Sequence, residues 1–262
     1  MDLLLKNKNL NNELIKDVET IVSKLLTSPL AANINIENLS HNINTLTFKE
    51  DFSLNNRPAA YDYMTNTIRF NSVLLDKADV EFLLAKELLG LAVNKINSTN
   101  NGFTKYDELL PLDDGLRDNL AEVIVGNEAP ITISDDEKVI ARLFAEVYGH
   151  ELVLKSFFSS NPDMLIRQMK KMQGEEATVN LLNNIKSNYF NRFSLGNSML
   201  GEIEMQLIDV FMNKDNLSEE EVNNFELNLF TNKESFAENK DMYSSLDQVS
   251  EYFQSKKHTK QL

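Results

Sequence analysis

Cysteine is absent from this chain of 262 residues, and tryptophan is absent as well. Without thiols the protein forms no disulfide, holds no metal through thiolates and has no cysteine nucleophile. Glycine and proline are scarce, with eight and five residues, and no glycine precedes Gly90. Tight turns are therefore few, which favours long helices over a sandwich of many short strands.

Basic side chains are outnumbered, 26 against 40 acidic ones, which gives a net charge of −14. Such a surface repels phosphate backbones and anionic lipid, so nucleic-acid and membrane partners are disfavoured. The same charge also serves simply to keep a protein soluble. Long apolar runs are missing too, so we expect neither a signal peptide nor a membrane span. The expected location is the cytoplasm, or an assembly formed there such as a virion.

What the chain does contain is helical periodicity interrupted once by strands. An amphipathic helix is predicted over residues 10–27. Two β-prone runs, Ala60–Tyr63 and Thr67–Phe70, flank a short loop and predict a hairpin. The remaining predicted elements are helices, over residues 78–96, 112–125, 135–149 and 151–159, two around Gly174, and two or three in 188–262. This order predicts a mostly helical α+β fold with a small, mainly antiparallel sheet packed on helices.

The helix predicted over residues 78–96 is the most apolar stretch of the chain. Its segment FLLAKELLGLA, residues 82–92, resembles the active-site helix of zincin metallopeptidases, which carries the motif HExxH. That motif places two imidazole ligands four residues apart on one helix face, with a glutamate between them as general base. Here the two ligand positions hold Lys86 and Gly90, and only Glu87 matches.

Downstream motifs extend the resemblance to the gluzincin branch of this class. Gly102-Phe103 and LDDGL at residues 112–116 are similar to its G-F and L-N-E-G-L elements. In that branch the glutamate of the second element is the third zinc ligand, and Asp114 stands at its position. The resemblance implies a zincin-like domain with an N-terminal helix over residues 1–190, followed by a helical C-terminal extension over residues 191–262.

The altered motif implies a pseudoenzyme with no metal, no cofactor and no catalytic residue. Gly90 offers no ligand, and Lys86 presents a cation where a dication would bind. If the helix is buried, Lys86 requires an anionic partner. We predict a salt bridge to Asp114, with Asp113 or Asp118 as further candidates; the alternative is that the Lys86 ammonium reaches solvent.

Other residues near this degenerate site have open roles. Glu87 is either a remaining general base or a helix residue that is hydrogen-bonded to the sheet edge or open to water. Tyr61, Tyr63, Arg69 and Asp113 are candidates to line a remnant cleft, although aromatic residues beside a hairpin more often serve packing.

The function predicted from these features is that of an inactive metallopeptidase-like protein that binds a protein partner or forms part of a larger assembly. One alternative is a hydrolase with an atypical carboxylate site around Glu87 and Asp114, with Asp113 or Glu122. Another is a helical structural protein unrelated to zincins. The composition fits a bacterial or a phage protein, and the sequence identifies no partner.

Overall fold

The computed structural model describes residues 12–54, 57–75, 79–95, 100–126, 135–195, 198–230 and 240–260. The protein is mostly helical, at 76%, with a three-stranded sheet, which agrees with the predicted α+β class. Over the described residues, none of the helices is long and apolar enough to cross a membrane. The strands are β1 (Thr47–Glu50), β2 (Ala59–Asp62) and β3 (Thr67–Phe70), and the α-helices are α1 (Asn12–Thr27), α2 (Ile36–Thr45), α3 (Ser72–Leu75), α4 (Val80–Val93), α5 (Leu110–Val125), α6 (Asp135–Tyr148), α7 (His150–Phe158), α8 (Pro162–Gln173), α9 (Glu175–Leu195), α10 (Ser198–Met212), α11 (Glu219–Phe230) and α12 (Lys240–Lys260).

The sheet has the strand order β1-β3-β2. Strands β2 and β3 form the predicted antiparallel hairpin, with Tyr61 opposite Ile68. Strand β1 pairs with the other side of β3 and runs parallel to it, with Phe48 opposite Ile68. The sheet is therefore mixed rather than mainly antiparallel. The segment that connects β1 to β2 passes over the position of β3, and the hairpin then places β3 between them. Strands β1 and β3 therefore run in the same direction.

Helix α4 is apolar on nearly every side and accordingly buried. Asp79 is its N-cap, and the Asp79 side chain accepts a hydrogen bond from the Phe82 amide at 3.0 Å. A buried helix end needs hydrogen-bond donors for its last carbonyls, and here side chains supply them instead of water. Asn42 donates to the carbonyls of Leu91 and Asn94, Asn101 to that of Gly90, and Ser160 to that of Val93.

The chain divides into two compact units. Unit 1 consists of residues 1–105, 117–130 and 157–161, and unit 2 of residues 106–116, 131–156 and 162–262. Helix α4 is central to unit 1 and packs against α1, α2 and β2, whereas α10 is central to unit 2 and packs against α6, α9 and α12. The predicted boundary after residue 190 lies inside α9 and stays a prediction.

The C-terminal residues differ from expectation. The polar sequence of residues 255–262 predicts a frayed end, but α12 continues to Lys260, and only the last two residues lie outside the described part. Phe253 is fully buried, and Lys257 binds the Glu226 carboxylate at 3.0 Å. These tertiary contacts, which a polar sequence does not reveal, hold the last turns of α12 in place.

Candidate site around Lys86 and Gly90

The degenerate motif lies where α4, the edge strand β2 and the second half of α5 meet in unit 1. Helix α4 supplies Lys86, Glu87 and Gly90, and α5 supplies Arg117 and Asp118. Because α4 has apolar residues on almost all sides, its few polar groups are enclosed by protein, and their partners decide what the site does.

Lys86 forms the predicted salt bridge, with Asp118 as its partner. Its Nζ lies 2.6 Å from Oδ1 of Asp118, and the two side chains are 21% and 3% exposed. Asp118 follows Asp114, the partner named first, by one helical turn on the same face of α5. Asp114 belongs to unit 2, where its Oδ2 accepts a hydrogen bond from the Tyr189 hydroxyl at 2.6 Å. The ion pair ties α4 to α5, as a shared metal would.

Gly90 makes room for a second cation, the guanidinium of Arg117. A Cβ atom at Gly90 would lie 2.1 Å from Nη1 of Arg117 and 2.8 Å from the Tyr61 ring. Arg117 is 7% exposed, and its Nη2 donates to the side-chain oxygen of Asn101. Asn101 in turn donates to the Gly90 carbonyl at 2.7 Å. The guanidinium also lies 5.8 Å from the centre of the Phe157 ring.

Glu87 binds the outer edge of the sheet. Its Oε2 accepts a hydrogen bond from the Tyr61 amide at 2.5 Å, and the side chain is buried. Asn94, two turns further along the chain, donates to the Tyr63 carbonyl at 3.3 Å. Outward-facing backbone groups of the edge strand are thus already bonded by side chains of the α4 segment. Of the two roles left open for Glu87, the bond to the sheet edge is the one observed.

Tyr61 joins the site through its ring as well as its backbone. Its hydroxyl donates to the side-chain oxygen of Asn66 at 2.8 Å and accepts from Nδ2 of Asn94 at 2.8 Å. Burial raises the pKa of the Tyr61 hydroxyl to about 12, although the hydrogen bond from Asn94 acts in the opposite direction. Tyr61 is therefore a neutral packing residue at physiological pH.

Of the other candidates for a remnant cleft, Tyr63 lies near Tyr61, because Asn94 donates to both residues, whereas Arg69 does not. Arg69 lies opposite Ala60 in the hairpin, so its side chain leaves the face of the sheet opposite to Tyr61. There its guanidinium nitrogens lie 3.4 Å from Asp51 and 3.8 Å from Asp62. Asp113 is buried and belongs to unit 2. The structure thus brings Tyr61 to Gly90 and separates Arg69 from that face.

The metal implied by the resemblance does not fit these residues. A zinc site requires neutral imidazoles or anions around the ion. At the first ligand position stands a lysine already paired with Asp118, and the space beside the second is filled by the guanidinium of Arg117. The arrangement is chemically suited to joining helices through buried charges.

Compared with family models, with curated proteins and with solved structures, the chain matches none. The resemblance to zincins therefore rests on the sequence motifs alone.

Sequence reasoning missed Arg117 and Asn101, although one signal pointed toward them. Gly90 interrupts an otherwise buried helix, and a glycine there costs about 1 kcal/mol relative to alanine, so it usually marks a close approach by another group. The sequence did not reveal that the approaching group is an arginine of α5.

Proposed function

We propose that this protein is a catalytically inactive relative of the zinc metallopeptidases that acts by binding protein partners, as a structural component or within an assembly. The observation that carries the proposal is the Arg117 guanidinium packed on Gly90. A glycine at a ligand position only removes a ligand from the metal. A buried cation beside that position goes further, because it repels a metal ion.

Electrostatics supports this reasoning. A dication about 4 Å from a single positive charge is repelled by roughly 8 kcal/mol at an effective dielectric constant of about 20. Lys86 and Arg117 are both within the site, and both are held by hydrogen-bonding partners of their own. Removing these cations from their partners to admit a metal would add a further cost, since buried polar groups would then be left unpaired.

The alternative of a carboxylate-based hydrolase has less support. Glu87 accepts a hydrogen bond from the Tyr61 amide, and Asp114 accepts one from the Tyr189 hydroxyl. A general base must be able to reach a substrate proton. A carboxylate that holds two parts of the fold together is poorly placed for that task.

Elemental analysis of freshly purified, unchelated protein tests the proposal, together with melting temperatures with and without a chelator. We expect no stoichiometric metal and an unchanged melting temperature. About one zinc per chain, with a lower melting temperature in chelator, would overturn the proposal.

Two variants identify where any metal is held. His150 is an exposed residue whose Nε2 lies 3.0 Å from Oε1 of Glu146, a pair able to hold surface metal. His150→Gln removes that pair and should abolish trace binding. Metal that persists in His150→Gln but is lost in Glu87→Gln would place it at the α4 site and contradict the proposal.

A further inference from the structure

Unit 2 contains an open groove of about 440 Å³ between the last turn of α8, the first half of α9 and the second half of α10. Its volume is within the range of sites that bind small molecules or short peptide segments. Met172, Leu181 and Val210 form the apolar part of its wall.

The polar part of the groove is lined by side-chain amides. Gln173, Asn180, Gln206 and Asn213 line it, and an amide carries both a donor and an acceptor, the combination that matches a peptide backbone. The Gln173 amide already accepts from the Tyr148 hydroxyl at 3.0 Å and donates to the Thr178 hydroxyl at 3.3 Å. The side-chain oxygen of Gln206 is buried and has no hydrogen-bond partner among the described residues. This enclosed oxygen is not accessible from the groove, so the exposed amides of Asn180 and Asn213 are the groups that a ligand backbone can contact.

The one charged residue in the groove wall, Asp209, already binds a lysine of the same chain. Nζ of Lys256 lies 2.6 Å from Oδ1 of Asp209 and 4.9 Å from the centre of the Tyr252 ring. The Tyr252 hydroxyl donates to both oxygens of Asp209 at 2.8 Å. Lys256 and Asp209 are each more than a third exposed, so a cation from outside can compete with this pair.

The charge of the protein is concentrated in the same unit. Acidic residues exceed lysine and arginine by eleven in unit 2 and by three in unit 1. Next to lining residues in the sequence, Glu176 and Lys171 are both exposed, and Lys170 is neutralised by Glu175 at 2.6 Å. An approaching basic segment is therefore attracted toward this unit, and an acidic one is repelled.

We infer that this groove binds an extended, lysine-containing segment of a partner protein, with the ligand's ammonium group displacing Lys256 from Asp209. The side-chain amides of Asn180 and Asn213 bind the segment's backbone, and the apolar wall covers the aliphatic parts of its side chains. This inference rests on the proposed role in protein binding and names the chemistry of the partner.

Fluorescence anisotropy with the full chain tests the inference. The probe is a fluorescein-labelled short peptide of alternating lysine and glycine, and the comparison peptide has glutamate in place of lysine. We expect saturable binding of the lysine peptide alone. Absence of binding up to about 1 mM protein in low salt would overturn the inference.

Three variants test whether the groove is the binding site. Asn180→Lys and Asn213→Lys each place a cation in the groove and should weaken binding about fivefold. Asn223→Lys makes the same change of charge at an exposed residue of α11 that does not line the groove, and it should leave binding within about twofold. Equal weakening by all three would mean general attraction to an acidic surface and would sink the inference.

A second pair asks whether Lys256 competes with the ligand. Lys256→Ala should tighten binding about threefold, because it removes the ammonium group that competes with the ligand for the Asp209 carboxylate. Lys257→Ala changes the net charge equally but frees Glu226, which does not line the groove, and should give no such gain. Equal gains would contradict displacement. Since none of these measurements involves metal, failure here is distinct from failure of the proposed inactivity.

Discussion

Two glycines inside helices, Gly90 and Gly115, stand where another group approaches too closely for a side chain. The group beside Gly90 is the end of the flexible Arg117 side chain, 2.1 Å from where a Cβ would lie. The group beside Gly115 is backbone, since a Cβ there would lie 1.9 Å from the Glu137 carbonyl oxygen. A guanidinium can move aside, whereas the carbonyl of a packed helix cannot do so without shifting α6.

This difference predicts unequal costs for the same substitution. Gly115→Ala should destabilise the protein by about 3 kcal/mol or more, and Gly90→Ala by about 1–2 kcal/mol. Urea denaturation of both variants measures the two free energies of unfolding.

A double variant checks the cause at Gly90. In an Arg117→Ala background, Gly90→Ala should cost less than it does alone, because the clashing group is gone. Equal costs for the two glycines, or no relief in the double variant, would refute this account of close approach.

For single residues, the sequence predicted the pairing of charges better than the close packing of side chains. An unpaired charge within an apolar helix is costly, so electrostatics predicted a salt bridge for Lys86, with an ammonium that reaches solvent as the alternative. The partner found is Asp118, one turn beyond Asp114, the residue named first. The role of Gly90 depends on which distant side chain fills the space. That depends on the tertiary path of α5, which local sequence does not encode.

Helix α12 is the element most dependent on tertiary contacts. Its mean hydropathy is low, and among its described side chains Phe253 and Val249 are fully buried. The Phe253 ring lies 6.0 Å from that of Phe225, which is stacked on Phe211 at 4.0 Å. A few aromatic contacts thus anchor a long polar helix to α10 and α11.

Removing the Phe253 ring should therefore strongly destabilise the folded protein. Phe253→Ala is expected to cost about 3–5 kcal/mol, the range for truncating a buried aromatic residue. Phe52→Ala is the matched control, because Phe52 is 63% exposed and the change should stay within about 0.5 kcal/mol. Chemical denaturation followed by circular dichroism measures both. Similar small losses would mean that α12 contributes little to folding.

Elements with a strong period were predictable, and those fixed by long-range pairing were not. The hairpin of β2 and β3 and the helices from α4 to α8 follow from local patterns and turn residues, with ends shifted by a few residues. The sequence Leu46-Thr47-Phe48 predicts a short strand, which β1 confirms, but its parallel pairing with β3 and the ordered end of α12 depend on contacts far apart in sequence. The polar pattern of residues 255–262 gave no indication of those contacts.

The whole molecule is assembled from interleaved segments. Helix α5 starts in unit 2 and ends in unit 1, and α7 is divided in the same way. Neither unit is a continuous stretch of chain, so no single cut in the chain separates one unit from the other.

A fragment of residues 1–190 tests the predicted domain boundary against this architecture. It lacks α10 and α11, which pack against α6, so buried residues of α6 such as Leu143 and Phe144 should become exposed. We expect the fragment to bind a hydrophobic dye and to unfold without a cooperative transition. A fragment that melts cooperatively and binds no dye would instead support the boundary at residue 190.

The hydrogen bonds around Asn101 also affect how fast this residue can deamidate. An asparagine followed by glycine is the pair most prone to deamidation, because the glycine nitrogen can attack the side-chain amide. Here Asn101 is 1% exposed and its amide is held by the Gly90 carbonyl and Arg117. The Gly102 amide donates to the Ser160 hydroxyl at 3.0 Å. Deamidation at Asn101-Gly102 therefore requires local unfolding of the site. Its rate is set by how often that unfolding occurs rather than by the intrinsic reactivity of the dipeptide.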